Sequence, residues 1–396
     1  MTIRALSLPP TDAEIDAWTE VLAAAQAVDL PQVPPPARTE VAGRLTAPPA
    51  RGRAALWAAD GGAGVAGLLL FTDEANAHTA YLDVLAVRPD ARRRGLGRAL
   101  WAQVRAELLA QGRTCVLTLV DADGPGECFA RSLGFENVLP MAWYEQDVRR
   151  QPQAAAAHGD GAGAGSPGPV APGYELRAWH GLVPDEWAGP LATAHGAMGD
   201  APMGDIDEKT ETWTPQRLHA AHQLILDRGG EITTVAAVTG AGEVAAYTEL
   251  VLPDPTGPRA LQYDTVVAPA HRGHGLGRAV KLHMLDLARN RYPDLRLIAT
   301  TVADENTPMR TVNERLGYRL ARPAAYYQLS LQAGLRTPGT SDGADHAASR
   351  RSASADGEPG AAWKVTRDCA EHGLGAEIEL IRADQINGAR PYLTAT

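Results

Sequence analysis

Cysteine is scarce in this chain. There are three in 396 residues, Cys115, Cys128 and Cys369, and none forms a paired motif. That excludes a disulfide scaffold and a cysteine zinc site, and no metal is expected. Aromatic residues make up only 5%, with three phenylalanines, so the cores must be built mainly from aliphatic side chains. Positive charge is also short: 37 Lys and Arg stand against 47 Asp and Glu, for a net charge of −10. Such a balance argues against gripping a phosphate backbone, and no nucleic-acid partner is expected. No apolar run is long enough for a membrane span of roughly 20 residues. The best, GVAGLLLF, stops after eight. The opening MTIRALSLPPTDAEIDAW lacks the basic-then-apolar order of a signal peptide, so a cytoplasmic protein with no membrane partner is expected.

What the chain does have is glycine and proline, 40 and 29 residues, unevenly placed. Two low-complexity stretches stand out. QPQAAAAHGDGAGAGSPGPVAPG, 151–173, reads as a flexible linker, and 333–360, rich in Gly, Ser, Ala and Asp, offers little to bury and reads as disordered. They divide the chain into a body at 1–150, a body at 174–332 and a C-terminal piece at 361–396 to which no role can be given.

The two bodies repeat one order of signals. The first opens with a capping box, Thr11 to Glu14, and a helical apolar pattern through Trp18, Leu22 and Ala25. The second opens with Pro184 at a first helical turn, and Thr214-Pro215 starts another helix. Strand-like runs follow: AALWAAD, GVAGLLLF and TAYLDVLAV in one body, ITTVAAVTG, EVAAYTELVLP and ALQYDTVVA in the other. Then comes a glycine loop, ARRRGLGRAL at 91–100 or HRGHGLGRAV at 271–280, leading into an amphipathic helix. A further strand precedes a short helix ending in LGF or LGY, whose Gly134 and Gly317 suit the left-handed position past a helix end. Gly95 to Gly275 is 180 residues and Gly134 to Gly317 is 183, the signature of a duplication with few insertions.

A strand passing through glycines into a helix start presents unpaired N–H groups at the positive end of the helix dipole, which favours a phosphate or pyrophosphate. Arg92 and Arg98, or Arg272 and Arg278, add positive charge. Neither loop has the third glycine of a dinucleotide fingerprint nor the Gly-Lys-Ser/Thr of a nucleoside-triphosphate loop.

Arg92-Arg-Arg-Gly95-Leu-Gly97 and Arg272-Gly-His-Gly275-Leu-Gly277 resemble the Arg/Gln-x-x-Gly-x-Gly/Ala loop of the GCN5-related N-acetyltransferases, with the flanking strand and LG-aromatic helix end in the matching places. The resemblance covers both bodies. It implies two acyl-CoA N-acyltransferase domains in tandem, each an α/β (α+β) unit with a mixed, mostly antiparallel twisted sheet flanked by helices. It also implies acetyl-CoA as acyl donor. The loops, with Arg92, Gly95, Gly97 and Arg98 or Arg272, Gly273, His274, Gly275, Gly277 and Arg278, would hold its pyrophosphate. The backbone of Leu85 and Val87, or of Thr265 and Val267, would pair with the pantetheine amides. Asn306 stands where the family often has an asparagine that contacts the cofactor, whereas the first body has Asp121 and Asp123 near that place. The second body is therefore the better catalytic candidate.

The chain departs from the family's pattern where its acid and base are usual. Ala130 and Asn313 replace the tyrosine four residues before the LG-aromatic glycine, and Tyr81 and Leu261 stand where a base glutamate is common. Substitutes in the second body are Glu249, Asp264 and Tyr326 or its neighbour Tyr327. Each carboxylate is equally readable as a solvated strand residue, and the tyrosines as packing. MGDAPMGDIDE, 198–208, occupies the region that usually covers the family's acceptor site. Asp200, Asp205 and Asp207 would hold a cationic amine, unless the stretch is a solvated acidic loop. His219 and His222 share a helix face and read as surface residues. The function implied is acetyl transfer to a primary amine of a small molecule. The alternative is a non-catalytic acyl-CoA sensor or scaffold. The acceptor and the oligomeric state are not legible.

Overall fold

The computed structural model describes residues 2–47, 49–150, 170–200, 202–209 and 212–331, and the backbone at 378–379 and 392–394. Most of the expected linker at 151–173 and all of 333–360 lie outside the described residues.

The first half runs β1 (Ile3–Ala5), α1 (Asp12–Asp29), α2 (Arg38–Thr46), β2 (Gly52–Ala59), β3 (Gly64–Phe71), β4 (Thr79–Val87), α3 (Leu96–Ala110), β5 (Cys115–Asp121), α4 (Pro125–Ser132) and β6 (Glu136–Asp147). The second repeats it: β7 (Tyr174–His180), α5 (Asp185–His195), α6 (Pro215–Asp227), β8 (Glu231–Thr239), β9 (Val244–Leu252), β10 (Arg259–Val267), α7 (Leu276–Arg291), β11 (Leu297–Ala303), α8 (Thr307–Arg315) and β12 (Arg319–Ser330). Two short C-terminal strands, β13 (Ile378–Glu379) and β14 (Tyr392–Thr394), complete the described residues.

Local chemistry accounts for the boundaries. The capping box at Thr11 forms as its sequence requires, with both reciprocal bonds to Glu14, and α1 buries Trp18, Val21, Leu22 and Ala25. Gly95 and Gly275 both take the left-handed conformation at the start of α3 and α7, where a Cβ would be strained.

The strands form one sheet in the order β1-β2-β3-β4-β5-β12-β6-β11-β10-β9-β8-β7. Along this path only β4–β5 and β10–β11 are parallel. Their pairing is brief, Thr79–Tyr81 against Cys115–Leu117 and Arg259–Leu261 against Leu297–Ala299. Beyond those residues the paired strands part, leaving a notch beside the upper half of β4 and another beside that of β10.

The order holds one arrangement that the duplication does not announce. The halves exchange their last strands: β6 of the first pairs with β11 of the second, and β12 of the second pairs with β5 of the first. Ala325, Tyr327 and Leu331 thereby enter the core beneath α3, and Ala142, Tyr144 and Val148 enter the core beneath α7. A third cluster spans the middle of the opposite face, with Tyr81, Trp143, Tyr263 and Tyr326 among its members. The two bodies expected at 1–150 and 174–332 are thus interlocked at their junction.

Candidate active site

Each glycine loop follows the same path. From Val87 or Val267 the chain makes a single 3-10 turn, Pro89–Ala91 or Pro269–His271, and enters its helix through the left-handed glycine. The first N–H groups of α3 and α7 have no acceptor within their helices. An added Cβ at Gly95, Gly273 or Gly275 would meet nothing within 4 Å, so these loops open outward. Beside the first loop lies a cleft of about 330 Å³ lined by Val87, Arg92, Gly95, Gly97, Arg98 and Cys128 among others. Open glycines, a helix start and a strand edge left by the parted strands fit a long anionic thioester.

The loop arginines do different work from one another. Arg92 and Arg272 each donate from Nε back to the carbonyl of Val87 or Val267, at 3.1 and 3.3 Å, and so brace the turn. Arg92 also makes a bidentate pair with Asp29, 2.7 Å on each side, nearly buried. Arg98 and Arg278 lie exposed on the first helical turn, available to an anion. His274 Nδ1 lies 3.2 and 3.1 Å from the carbonyls of His271 and Arg272.

On the opposite face of the second half lies a buried polar cluster. Gln262 pairs with Leu250 and Thr265 with Thr248, so Tyr263 and Asp264 together oppose Glu249 in a β-bulge. Asp264 Oδ2 lies 3.3 Å from Nδ1 of His195, the last residue of α5. The Tyr247 hydroxyl reaches the same nitrogen at 2.5 Å, and the Trp213 ring packs on the imidazole with centroids 4.0 Å apart. Two residues along β9 from Tyr247, Glu249 Oε1 lies 2.8 Å from His222 Nε2, whose other ring nitrogen is buried without a hydrogen-bond partner. Burial, with the carboxylates of Asp264 and Glu249 nearby, pushes the Tyr247 phenol well above its usual range and keeps it neutral. On the α7 face of the same strands a separate series of polar groups is joined: Tyr318 Oη donates to Gln262, whose amide donates to Thr248, which shares a hydrogen bond with Thr265.

The first half is built differently at the matching bulge. Asp83 is engaged by Arg44 of α2 at 2.6 Å, in a mostly buried ion pair. That pair borders an apolar cleft lined by Trp18, Leu22, Leu45 and Leu56, into which Arg228 of the second half also reaches. Burial and the neighbouring Arg44 hold the Arg228 guanidinium down at about 10. Among the described residues no group of three His, Cys, Asp or Glu side chains could hold a metal ion, and no helix is long and apolar enough to cross a membrane.

Comparison with known proteins resolves what the paired loops and parted strands belong to. The model of the acetyltransferase (GNAT) family matches residues 17–135 and 204–318. The chain belongs to the GNAT acetyltransferase family. Among solved structures, a tandem GNAT protein from the clavulanic acid biosynthesis pathway, determined without AcCoA, is 29% identical, with a TM-score of 0.67 over 86% of this chain and all (100%) of its own. A GCN5-related N-acetyltransferase from Sphaerobacter thermophilus, 18% identical, aligns with a TM-score of 0.55 over 84% of this chain and 97% of its own, and shows the fold. No curated protein matches the chain.

GNAT proteins use an acyl-CoA donor, and the residues singled out from the sequence can now be placed. Thr265 and Val267, like Leu85 and Val87, stand on the stretch of strand beyond its parallel pairing. Asp264 and Glu249 lie on the same face of neighbouring strands, buried and each beside a histidine, rather than solvated. Tyr326 is not brought to them. It sits on β12 between Leu119 of β5 and Leu139 of β6, with β6 and β11 separating it from β10. Tyr327 serves the first half, where its hydroxyl donates to Glu127 and accepts from Arg131, and burial with the Glu127 bond pushes it to about 12. Asn306 caps α8, its side chain accepting from the Met309 N–H at 3.2 Å.

The acidic stretch takes an unexpected course. Gly204, at φ +54, presses against the Val138 carbonyl, which a Cβ would overlap. Asp205 N–H donates to that carbonyl, Asp207 lies 3.1 Å from His78, and Glu208 pairs with Arg51 at 2.8 Å. The segment is strapped onto the first half, where a cover over the second was expected; its partners are 129 and 157 residues away in sequence. The backbone of Asp200 ends a 3-10 turn after α5. His222, expected at the surface, is buried because Glu249 stands opposite. His195, Tyr247 and Trp213 were not singled out. The alternation Tyr247-x-Glu249 could have flagged the tyrosine, since residues two apart on a strand share a face.

Proposed function

We propose that the protein transfers an acetyl group from acetyl-CoA to a primary amine of a small molecule, and that the second half carries the reaction. The observation that supports this half is the pairing of each buried carboxylate with an imidazole, Asp264 on β10 next to its notch and Glu249 on the neighbouring β9. When bound, the donor supplies an acyl group activated as a thioester. The loop amides and exposed Arg278 hold its phosphates, and the edge of β10 at Thr265 and Val267 orients its amide-bearing arm. Asp264 attracts the acceptor's ammonium and takes one proton, which His195 passes to solvent. As the freed amine bonds to the acyl carbon the C–S bond breaks, and the second amine proton leaves with the sulfur as a thiol. Tyr247, held neutral, keeps the imidazole oriented, and Glu249 with His222 forms a second carboxylate–imidazole pair on the same wall. Asp205 and Asp207 are given no part in this reading, since their segment is strapped to the first half.

Thiol release from acetyl-CoA against a panel of amines tests the proposal. Asp264→Asn and His195→Gln should each lower turnover by about a hundredfold or more, the usual weight of positioned proton transfer. Affinity for acetyl-CoA should be unchanged. Turnover insensitive to both changes overturns the assignment to the second half. A second reading, that the first half also binds the donor, is favoured by the open cleft beside Gly95 and Arg98.

A further inference from the structure

The C-terminal strands occupy places with a shared meaning. Glu379 pairs with Thr265 and Ile378 with Val266 on β10, while Tyr392, Leu393 and Thr394 pair with Val84, Leu85 and Ala86 on β4. Leu85 and Thr265 are equivalent positions of the repeat, 180 residues apart like the loop glycines. Both pairings fall beyond the last parallel pair, Tyr81 with Leu117 and Leu261 with Ala299, so both lie in the notches. β9 and β3 already occupy the other edges of β10 and β4. β14 also lies against α4 and β5, and β13 against α8 and β11, which places each within its notch.

We propose that each notch is also a binding site for a polypeptide strand, and that the occupant is this chain's own C-terminal segment, residues 378–379 in the second half and 392–394 in the first. The inference rests on the reading that these strand edges receive the donor's amides. The N–H and C=O groups on the open edge of a strand accept any partner with matching amides, whether a peptide or a pantetheine arm. One edge cannot serve both at once. The C-terminal segment therefore competes with acetyl-CoA for the two notches.

Reach permits simultaneous occupancy. Five inter-strand steps separate β4 from β10, about 24 Å at roughly 4.8 Å each. Twelve residues, 380–391, join the two short strands, and a chain of that length extends to about 40 Å. The direction is also consistent. Following the sheet, β4 and β10 run oppositely, so a segment parallel to β4 and antiparallel to β10 runs the same way in both notches.

The test uses the full chain carrying Glu379→Pro and Leu393→Pro together. Proline donates no N–H and does not continue a ladder. Calorimetry should show acetyl-CoA binding tightened by about three- to tenfold, the weight of a few net hydrogen bonds. A synthetic peptide spanning 376–396 should reverse the gain. Hydrogen exchange should speed up at the amides of residues 84–86 and 265–266 that face the notch. Unaltered exchange in the double variant overturns strand binding whatever the donor does. Faster exchange with an unaltered donor affinity overturns the competition. If neither protein binds acetyl-CoA while exchange still quickens, strand binding is upheld, and it is the donor reading that fails.

Discussion

The charge at the second glycine loop offers the sharpest test of anion binding there. Gly275 sits at φ 70, ψ 16 and is exposed. Asparagine and aspartate both tolerate this left-handed region better than other side chains, and they have nearly the same size. Gly275→Asn and Gly275→Asp therefore share whatever strain and bulk they introduce, and differ by one negative charge. Two unit charges about 6 Å apart repel by about 3 kcal/mol at an effective dielectric of about 20. Solvent and salt screen an exposed loop, and halving the figure still leaves a factor of about ten in affinity. Calorimetric titration with acetyl-CoA should show Gly275→Asp binding about tenfold or more weakly than Gly275→Asn. The gap should narrow as salt is raised. The matching pair at Gly95, φ 82, asks the same of the first half, and the two pairs together assign each site. An aspartate variant that binds as well as its asparagine twin, at low salt, would refute a pyrophosphate at that loop.

Other outcomes follow from single features. Cys128 is exposed and lines the first cleft, whereas burial pushes the Cys115 thiol up to about 12. Iodoacetamide at pH 8 should label Cys128 and spare Cys115, and acetyl-CoA should slow the labelling if the first half binds it; peptide mass mapping reads both. Breaking the nearly buried Arg92–Asp29 pair by Asp29→Asn should cost about 2–4 kcal/mol, since it strands a guanidinium, as a fall in the denaturant midpoint. Glu14 is held at about 2, against an ordinary 4.5, by the Thr11 backbone bond first and then Arg4. A lowered carboxylate value means stability fully present above pH 4.5 and lost as the pH falls toward 2. The destabilisation by Glu14→Gln should accordingly be seen at pH 7 and vanish near pH 2 in thermal melts.

Much of this molecule was legible in its sequence, and what was not has a common cause. The glycine loops, the capping box at Thr11 and the alternating strands are local signals, fixed by backbone conformation and side-chain period within a few residues. The strand exchange is not local. β6 and β12 occupy equivalent places in the repeat and carry similar patterns, PMAWYEQD and PAAYYQLS, so either strand offers similar side chains to either half. The course of the acidic stretch was hidden for the same reason. Its anchors, Arg51, His78, Val138 and Gln328, belong to distant segments, and no spacing in 198–208 announces them. His222 was misjudged because one helix turn shows which residues share a face, but not which face meets a buried carboxylate.

The contrast between the two bulges bears on the choice between a transferase and a sensor. Binding the donor asks only for a loop of amides and a strand edge beyond its parallel pairing, and both halves have these. Transfer asks in addition for a group that accepts a proton near neutral pH and releases it. In the first half the carboxylate at the bulge, Asp83, is held by a guanidinium. Arginine does not give up its proton at such pH, so that partner can relay nothing. In the second half Tyr263 stands at the position equivalent to Asp83, and the bulge carboxylate is the next residue, Asp264, which meets an imidazole, the one ordinary side chain that exchanges a proton in this range. Burying a carboxylate costs several kcal/mol unless partners offset it. Two buried carboxylate–imidazole pairs on one wall are an expensive way to fill a core that aliphatic residues would fill better. That asymmetry is what favours chemistry in the second half, while the first half contributes the strand that completes its neighbour's sheet.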